Sequence, residues 1–244
     1  NLRRVVIAAL AALWLAPATA MAMSEKKEIG IGREMHQEIL AKVPVYANAA
    51  VADYVGRIGQ QLARDSERPG LEYTFTVLDS PDINAFATPG GYVYINRGLL
   101  AYLQSEAELA AVLAHEIAHI TERHASRQDV MAKTSSVASL ALGVLAAIGT
   151  GSGAVGGVAQ DAASSAGTAM VRGYGRDMEL EADREGAKFM HRSGYDPLAM
   201  IEVLGALKEQ ESFARVRAKE AGRKPAVYHG VFSTHPRNDE RLKE

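Results

Sequence analysis

His115-Glu116-Ile117-Ala118-His119 is a stretch whose residue types and spacing are fit for chemistry. Two histidines four apart on a helix lie on one face, about 6 Å apart along the axis, so both imidazoles can reach one zinc ion with Zn–N bonds of about 2.0–2.1 Å. Glu116 would then neighbour a water on that ion, where a carboxylate can take up a proton. This arrangement allows metal-assisted hydrolysis. A catalytic zinc keeps three protein ligands and one open position, so a third ligand must come from elsewhere in the chain. With no cysteine in the sequence, that ligand is a histidine or a carboxylate. The extended pattern H-E-x-x-H-x-x-G-x-x-H is not met, because Glu122 and Ala125 stand where it needs Gly and His. His124 falls about 140° around a continuous helix from His119 and away from the metal face, as a supporting or packing residue.

The acidic candidates lie in Met178-Glu179-Leu180-Glu181-Ala182-Asp183-Arg184-Glu185. Glu179 and Asp183 are four apart and share a helix face, while Glu181 lies about 200° from Glu179. Spacing alone leaves two pairs open, Glu179 with Asp183 or Glu181 with Glu185.

These residues need rigid elements to hold them. Ser105 followed three residues later by Glu108 is a capping box, and Leu109, Val112, Leu113 and Ile117 give its helix a buried face. Upstream, spaced apolar residues over 24–43 predict a helix ended by Pro44, and Asn48 caps a second that runs toward Pro69-Gly70. The period then changes to two at Tyr73, Phe75 and Val77, and Tyr92-Val93-Tyr94-Ile95 is a further strand. Between them Asn84-Ala85-Phe86-Ala87 reads as a short edge strand, with Gly90-Gly91 as a turn that would let it approach the metal closely. The segment 134–171, rich in Gly, Ala and Ser, reads as a mobile lid or hairpin between the two metal-bearing helices, and the helix beyond Pro197 as packing. The expected architecture is α+β: one mainly helical domain over 23–244 with a small antiparallel sheet.

The 244 residues carry 27 Lys and Arg against 29 Asp and Glu, a balance too even to supply the basic field that nucleic-acid binding needs. Arg3 and Arg4, the apolar run that follows, and Ala18-Thr19-Ala20-Met21-Ala22 predict a secretory signal over 1–22 cut after Ala22. The expected mature chain is periplasmic, with no transmembrane span and no lipid-anchor cysteine.

Taken in order, Ile83-Asn84-Ala85-Phe86-Ala87-Thr88-Pro89-Gly90-Gly91, Gly98-Leu99-Leu100, the His115 to His119 motif, Glu179-Leu180-Glu181-Ala182-Asp183 and Thr234-His235-Pro236 resemble the gluzincin family of CAAX prenyl proteases and HtpX-like peptidases, in particular its periplasmic BepA- and LoiP-like branch. The resemblance covers roughly 25–244. It implies a zincin-type fold and one Zn2+ per chain, held by His115, His119 and Glu179. Asp183 would accept from a ligand imidazole, and Glu116 would act as general base. It further implies an endopeptidase acting on unfolded or misassembled envelope proteins beside the outer-membrane assembly machinery. A rival reading is a chaperone-like protein that holds such clients without cutting them. A protease that accepts many sequences can read main chain by strand addition, for which Asn84, Ala85, Phe86 and Ala87 are the candidate edge. His235 is a candidate plug in the open metal position, an oxyanion donor, a role for which Arg241 is the alternative, or a structural residue at a helix start.

Overall fold

A computed structural model describes residues 23–127 and 174–220. Helix α1, Glu25–Lys42, starts where the Ser24 side chain accepts from the Lys27 N–H, and it ends as Val43 turns extended ahead of Pro44. Its inward residues Glu28, Gly32, Met35 and Ile39 recur at helical spacing. Helix α2, Ala49–Arg64, is capped by Asn48, whose Oδ1 accepts from the Val51 N–H at 3.2 Å. It buries Val55, Ile58 and Leu62.

Strands β1 (Thr74–Leu78), β2 (Ala85–Thr88) and β3 (Tyr92–Asn96) form one sheet in the order β1-β3-β2. β2 pairs antiparallel with β3, with Phe86 opposite Tyr94, as a hairpin should. β1 runs parallel to β3, with Phe75 opposite Val93, so the sheet is mixed rather than wholly antiparallel. The reason lies in residues 79–84, a connection long enough to cross two strand spacings of about 4.8 Å each. The β2–β3 hairpin therefore places β3, not β2, against β1.

The hairpin turn uses glycine by necessity: Gly90 and Gly91 have φ of 79° and 98°. A Cβ on Gly91 would lie 2.1 Å from the Glu72 carbonyl oxygen, and one on Gly90 would lie 2.8 Å from Ile29 Cα. The turn thus packs against α1 and the chain entering β1. The opposite end of β2, at Ala85, lines the same cavity as His115 and Glu116. The expectation that the glycine turn brings the strand to the metal is corrected on this point.

After the short helix α3, Arg97–Leu100, comes α4, Glu106–Thr121. Ser105 Oγ accepts from the Glu108 N–H at 3.1 Å, while Glu108 reaches back to the Gln104 N–H at 2.6 Å. Every residue of α4 from Leu109 to Thr121 is buried, which makes it the central element, packed by α2, by β2 and by two later helices. A four-residue helix α5, His124–Arg127, follows at once. The later helices are α6, Arg176–Arg192, and α7, Leu198–Glu220. Among the described residues no helix is long and apolar enough to cross a membrane. The expected signal segment 1–22, the tract 134–171, His235 and Arg241 lie outside the described residues.

Candidate metal centre

α4 brings His115 and His119 one turn apart with their Nε2 atoms 3.0 Å from each other. α6 crosses α4 closely at this level because Gly186 has no side chain: a Cβ there would lie 3.1 Å from the His115 backbone nitrogen and 3.0 Å from Met200 Cε. The close approach carries Glu179 in, with Oε2 3.5 Å from His115 Nε2 and Oε1 3.6 Å from His119 Nε2. One ligand atom from each of the three residues lies within 4.8 Å of the others. Glu179 is 0% exposed, and a carboxylate so buried costs several kcal/mol unless a cation compensates it. Two imidazole nitrogens and a carboxylate oxygen, converging in a buried place, fit a divalent ion of the zinc type.

Asp183, one turn beyond Glu179, sets its Oδ1 2.9 Å from His115 Nδ1. Of the two pairings the spacing left open, the structure brings Glu179 and Asp183 to the histidines. Glu181 instead meets His124 and Arg127, and Glu185 meets Lys188 at 2.6 Å.

His124 is not where a continuous helix would put it. α4 stops at Thr121, Arg123 adopts a left-handed backbone with φ 55°, and α5 restarts the chain in a new direction. His124 is thereby turned back, fully buried, with Nδ1 2.7 Å from His119 Nδ1. Such a backbone costs a residue other than glycine about 1–2 kcal/mol. Arg123 is held there by an ion pair at 2.8 Å to Glu28 of α1 and by a hydrogen bond to the Met23 carbonyl. Burial pulls the His124 imidazole below its ordinary value against the opposing pull of Glu181. Burial by itself would raise Glu181, but hydrogen bonds from His124 and Arg127 outweigh it and hold its carboxyl below the usual range.

Two contributions escaped the sequence reading. Tyr174 stacks on His119, with ring centroids 4.1 Å apart, and burial together with Glu116 and Glu179 pushes its phenol well above the ordinary value. An aromatic between Gly173 and Gly175 carries no spacing signal that could have announced this. The second is α7. Met200, Val203, Leu204 and Leu207 line a cavity whose other walls include His115, Glu116 and Ala85. Their i, i+3, i+4, i+7 pattern is the same for a core face as for a pocket wall.

The candidate substrate strand is buried throughout: Asn84 is 0%, Ala85 2%, Phe86 4% and Ala87 7% exposed. Phe86 turns away from the site and stacks on Tyr94, centroids 4.7 Å apart, in a cluster with Met35 and Ile39 of α1. Among the described residues no strand pairs with the outer edge of β2.

The sequence model of Peptidase family M48 matches residues 49–244, from the start of α2 onward. The chain belongs to peptidase family M48. This M48 chain is 30% identical to the beta-barrel assembly-enhancing protease of Escherichia coli K12, an alignment covering 100% of the chain and 51% of the relative. With the beta-barrel assembly-enhancing protease of Yersinia pestis it shares 31% identity over 91% of its own length and 44% of the relative's. With the mitochondrial metalloendopeptidase OMA1 of Schizosaccharomyces pombe it shares 29% identity over 78% of its length and 51% of the relative's. The M48 chain thus spans about half the length of these relatives. Membership places the buried His-His-Glu cluster in a family of metal-dependent peptidases.

Proposed function

We propose that this M48 chain is a zinc-dependent endopeptidase that cuts unfolded or misassembled proteins of the bacterial envelope. The observation that carries the reading is the convergence of His115 Nε2, His119 Nε2 and a Glu179 oxygen within 4.8 Å, with Glu116 facing the same cavity as His115. These three residues would hold the ion, which when bound supplies a Lewis acid that polarises a scissile carbonyl and acidifies a water. Glu116, 2% exposed, accepts the proton of the attacking water and returns it to the leaving amine. Asp183 orients the His115 ring through Nδ1. The α7 cavity receives an apolar side chain of the substrate next to the bond being cut.

An extended substrate adds along β2. The Asn96 N–H donates to the Asn84 carbonyl at 2.9 Å, and alternation along an antiparallel pair then aims the main-chain groups of Ala85 and Ala87 off the outer edge. Because both residues are buried, addition requires whatever covers that edge to be displaced, which suits a protease that must not cut at random. Ala87→Pro removes an outward donor without removing a ladder bond. It should raise KM for casein, and unchanged kinetics would remove the strand-addition part of the reading.

The periplasm as place of action, and the outer-membrane assembly machinery as neighbour, rest on the signal-like residues 1–22 and on the names of the bacterial relatives. Holding clients without cutting them would not call for a carboxylate at 116. Glu116→Gln should keep the metal and lower casein turnover by about 10²- to 10⁴-fold. A variant that binds metal and cuts at the wild-type rate would refute the hydrolytic mechanism.

A further inference from the structure

A metal-facing imidazole must be fixed through its other ring nitrogen, and the two imidazoles here are fixed by different means. His115 Nδ1 meets the Asp183 carboxylate directly. His119 Nδ1 lies 2.7 Å from another ring nitrogen, Nδ1 of His124. Two ring nitrogens at hydrogen-bond distance need one N–H donor and one bare acceptor. With His119 Nε2 given to the ion that it, His115 and Glu179 would hold, its hydrogen belongs on Nδ1, and His124 Nδ1 is the acceptor. The hydrogen of His124 is then on Nε2, where Glu181 Oε2 accepts it at 3.0 Å. Arg127 donates to the same oxygen at 2.6 Å and closes the series. Every donor and acceptor on this path is matched in one order only.

A buried histidine must match both ring nitrogens wherever it lies, but packing alone would not call for a left-handed backbone that presents one of them to His119. The left-handed Arg123 that swings it over His119 is clamped by Glu28 of α1, itself 1% exposed. Arg68 bonds Glu28 at 3.1 Å and also donates to the Ile120 carbonyl at 3.2 Å, within the last turn of α4.

We propose that His124 and Glu181 are positioning residues of the metal centre, with the path His119–His124–Glu181 fixing the tautomer and ring direction of His119 as Asp183 does for His115. This rests on the reading of His115, His119 and Glu179 as the metal ligands. Each acid of Glu179-Leu180-Glu181-Ala182-Asp183 then has its own place, with Glu179 toward the ion, Asp183 behind His115, and Glu181 behind His119 through His124.

The test is zinc affinity of the full chain, measured by competition with a chromophoric chelator, together with the visible absorption of the cobalt(II)-loaded protein. His124→Phe should weaken zinc binding by about 10- to 100-fold and shift the cobalt bands. Glu181→Gln should weaken it less, since the amide oxygen still accepts the Nε2–H but carries no charge. If both variants bind zinc within twofold of wild type with unchanged cobalt spectra, the positioning role is overturned, whatever happens to Tm. Should His124→Phe fail to fold, Glu181→Gln decides alone, because its side chain is 34% exposed and tolerates the change. His115→Ala separates the two levels: if it too leaves zinc affinity intact, the ligand assignment itself falls. If it abolishes binding while His124→Phe and Glu181→Gln do not weaken it, only the positioning role falls.

Discussion

Where α4 meets α6 its two histidines face carboxylates, whereas the side that meets α7 is lined with hydrocarbon. On the first, Glu179 and Asp183 come within 4 Å of imidazole nitrogens, and each group has its place only because its neighbour is present. On the second, Met200, Val203, Leu204 and Leu207 face a cavity and are joined by dispersion contacts that have no preferred direction. Charged groups in a buried network are coupled, so a change in one is felt by all. Apolar walls can change size without disturbing proton positions. On the proposed reading, reactivity and choice of substrate sit on separate flanks of one helix, with His115 and Glu116 bordering both.

The substitution with the largest expected effect on this separation is Leu204→Trp, which fills the cavity from the α7 side. It should cut kcat/KM by about 10- to 200-fold for peptides with a large apolar residue beside the scissile bond, the range set by one to a few methylenes in a pocket. Peptides with alanine there should suffer less, and zinc content should stay at the wild-type level. Loss of zinc in this variant would break the comparison, since it would show the two flanks to be coupled.

How much of this was legible in the sequence follows the range over which each feature is decided. The caps at Asn48 and Ser105 and the same-face spacing of His115 and His119 are decided within a few residues, and the structure has them where the sequence puts them. The parallel pairing of β1 with β3 is decided by where residues 79–84 lead the chain, which no strand pattern encodes. The place of His124 depends on Arg123 adopting a backbone that glycine or asparagine usually signals, and its support is Glu28, which belongs to α1. The helical period therefore pointed His124 the wrong way round α4. α7 was read as packing because a pocket wall and a core face share one pattern.

The smallest effect concerns what joins the two flanks. Glu106 begins α4, and its carboxylate accepts from Tyr195 of the α6–α7 connection at 2.8 Å and from Tyr54 of α2 at 2.9 Å, with Arg57 at 3.5 Å. The two tyrosine hydrogen bonds, with Arg57 adding to them, hold the Glu106 carboxyl below its ordinary value of 4.5, and its place in the first turn of α4 favours the same charge. Burial and then the same carboxylate push the Tyr195 phenol up to about 12. A carboxyl whose folded pKa lies below the unfolded one contributes stability that is present above the unfolded value and disappears as pH falls through the folded value. Its side chain is 39% exposed, so solvent screening keeps the contribution under about 1 kcal/mol. Glu106→Gln should therefore lower Tm slightly at pH 7, and the difference from wild type should close as the pH is taken from 6 to about 3 in a series of thermal melts. A Tm difference that persists undiminished at the acid end would show that Glu106 joins the flanks through shape and hydrogen bonding alone, and that its charge has no part in holding them together.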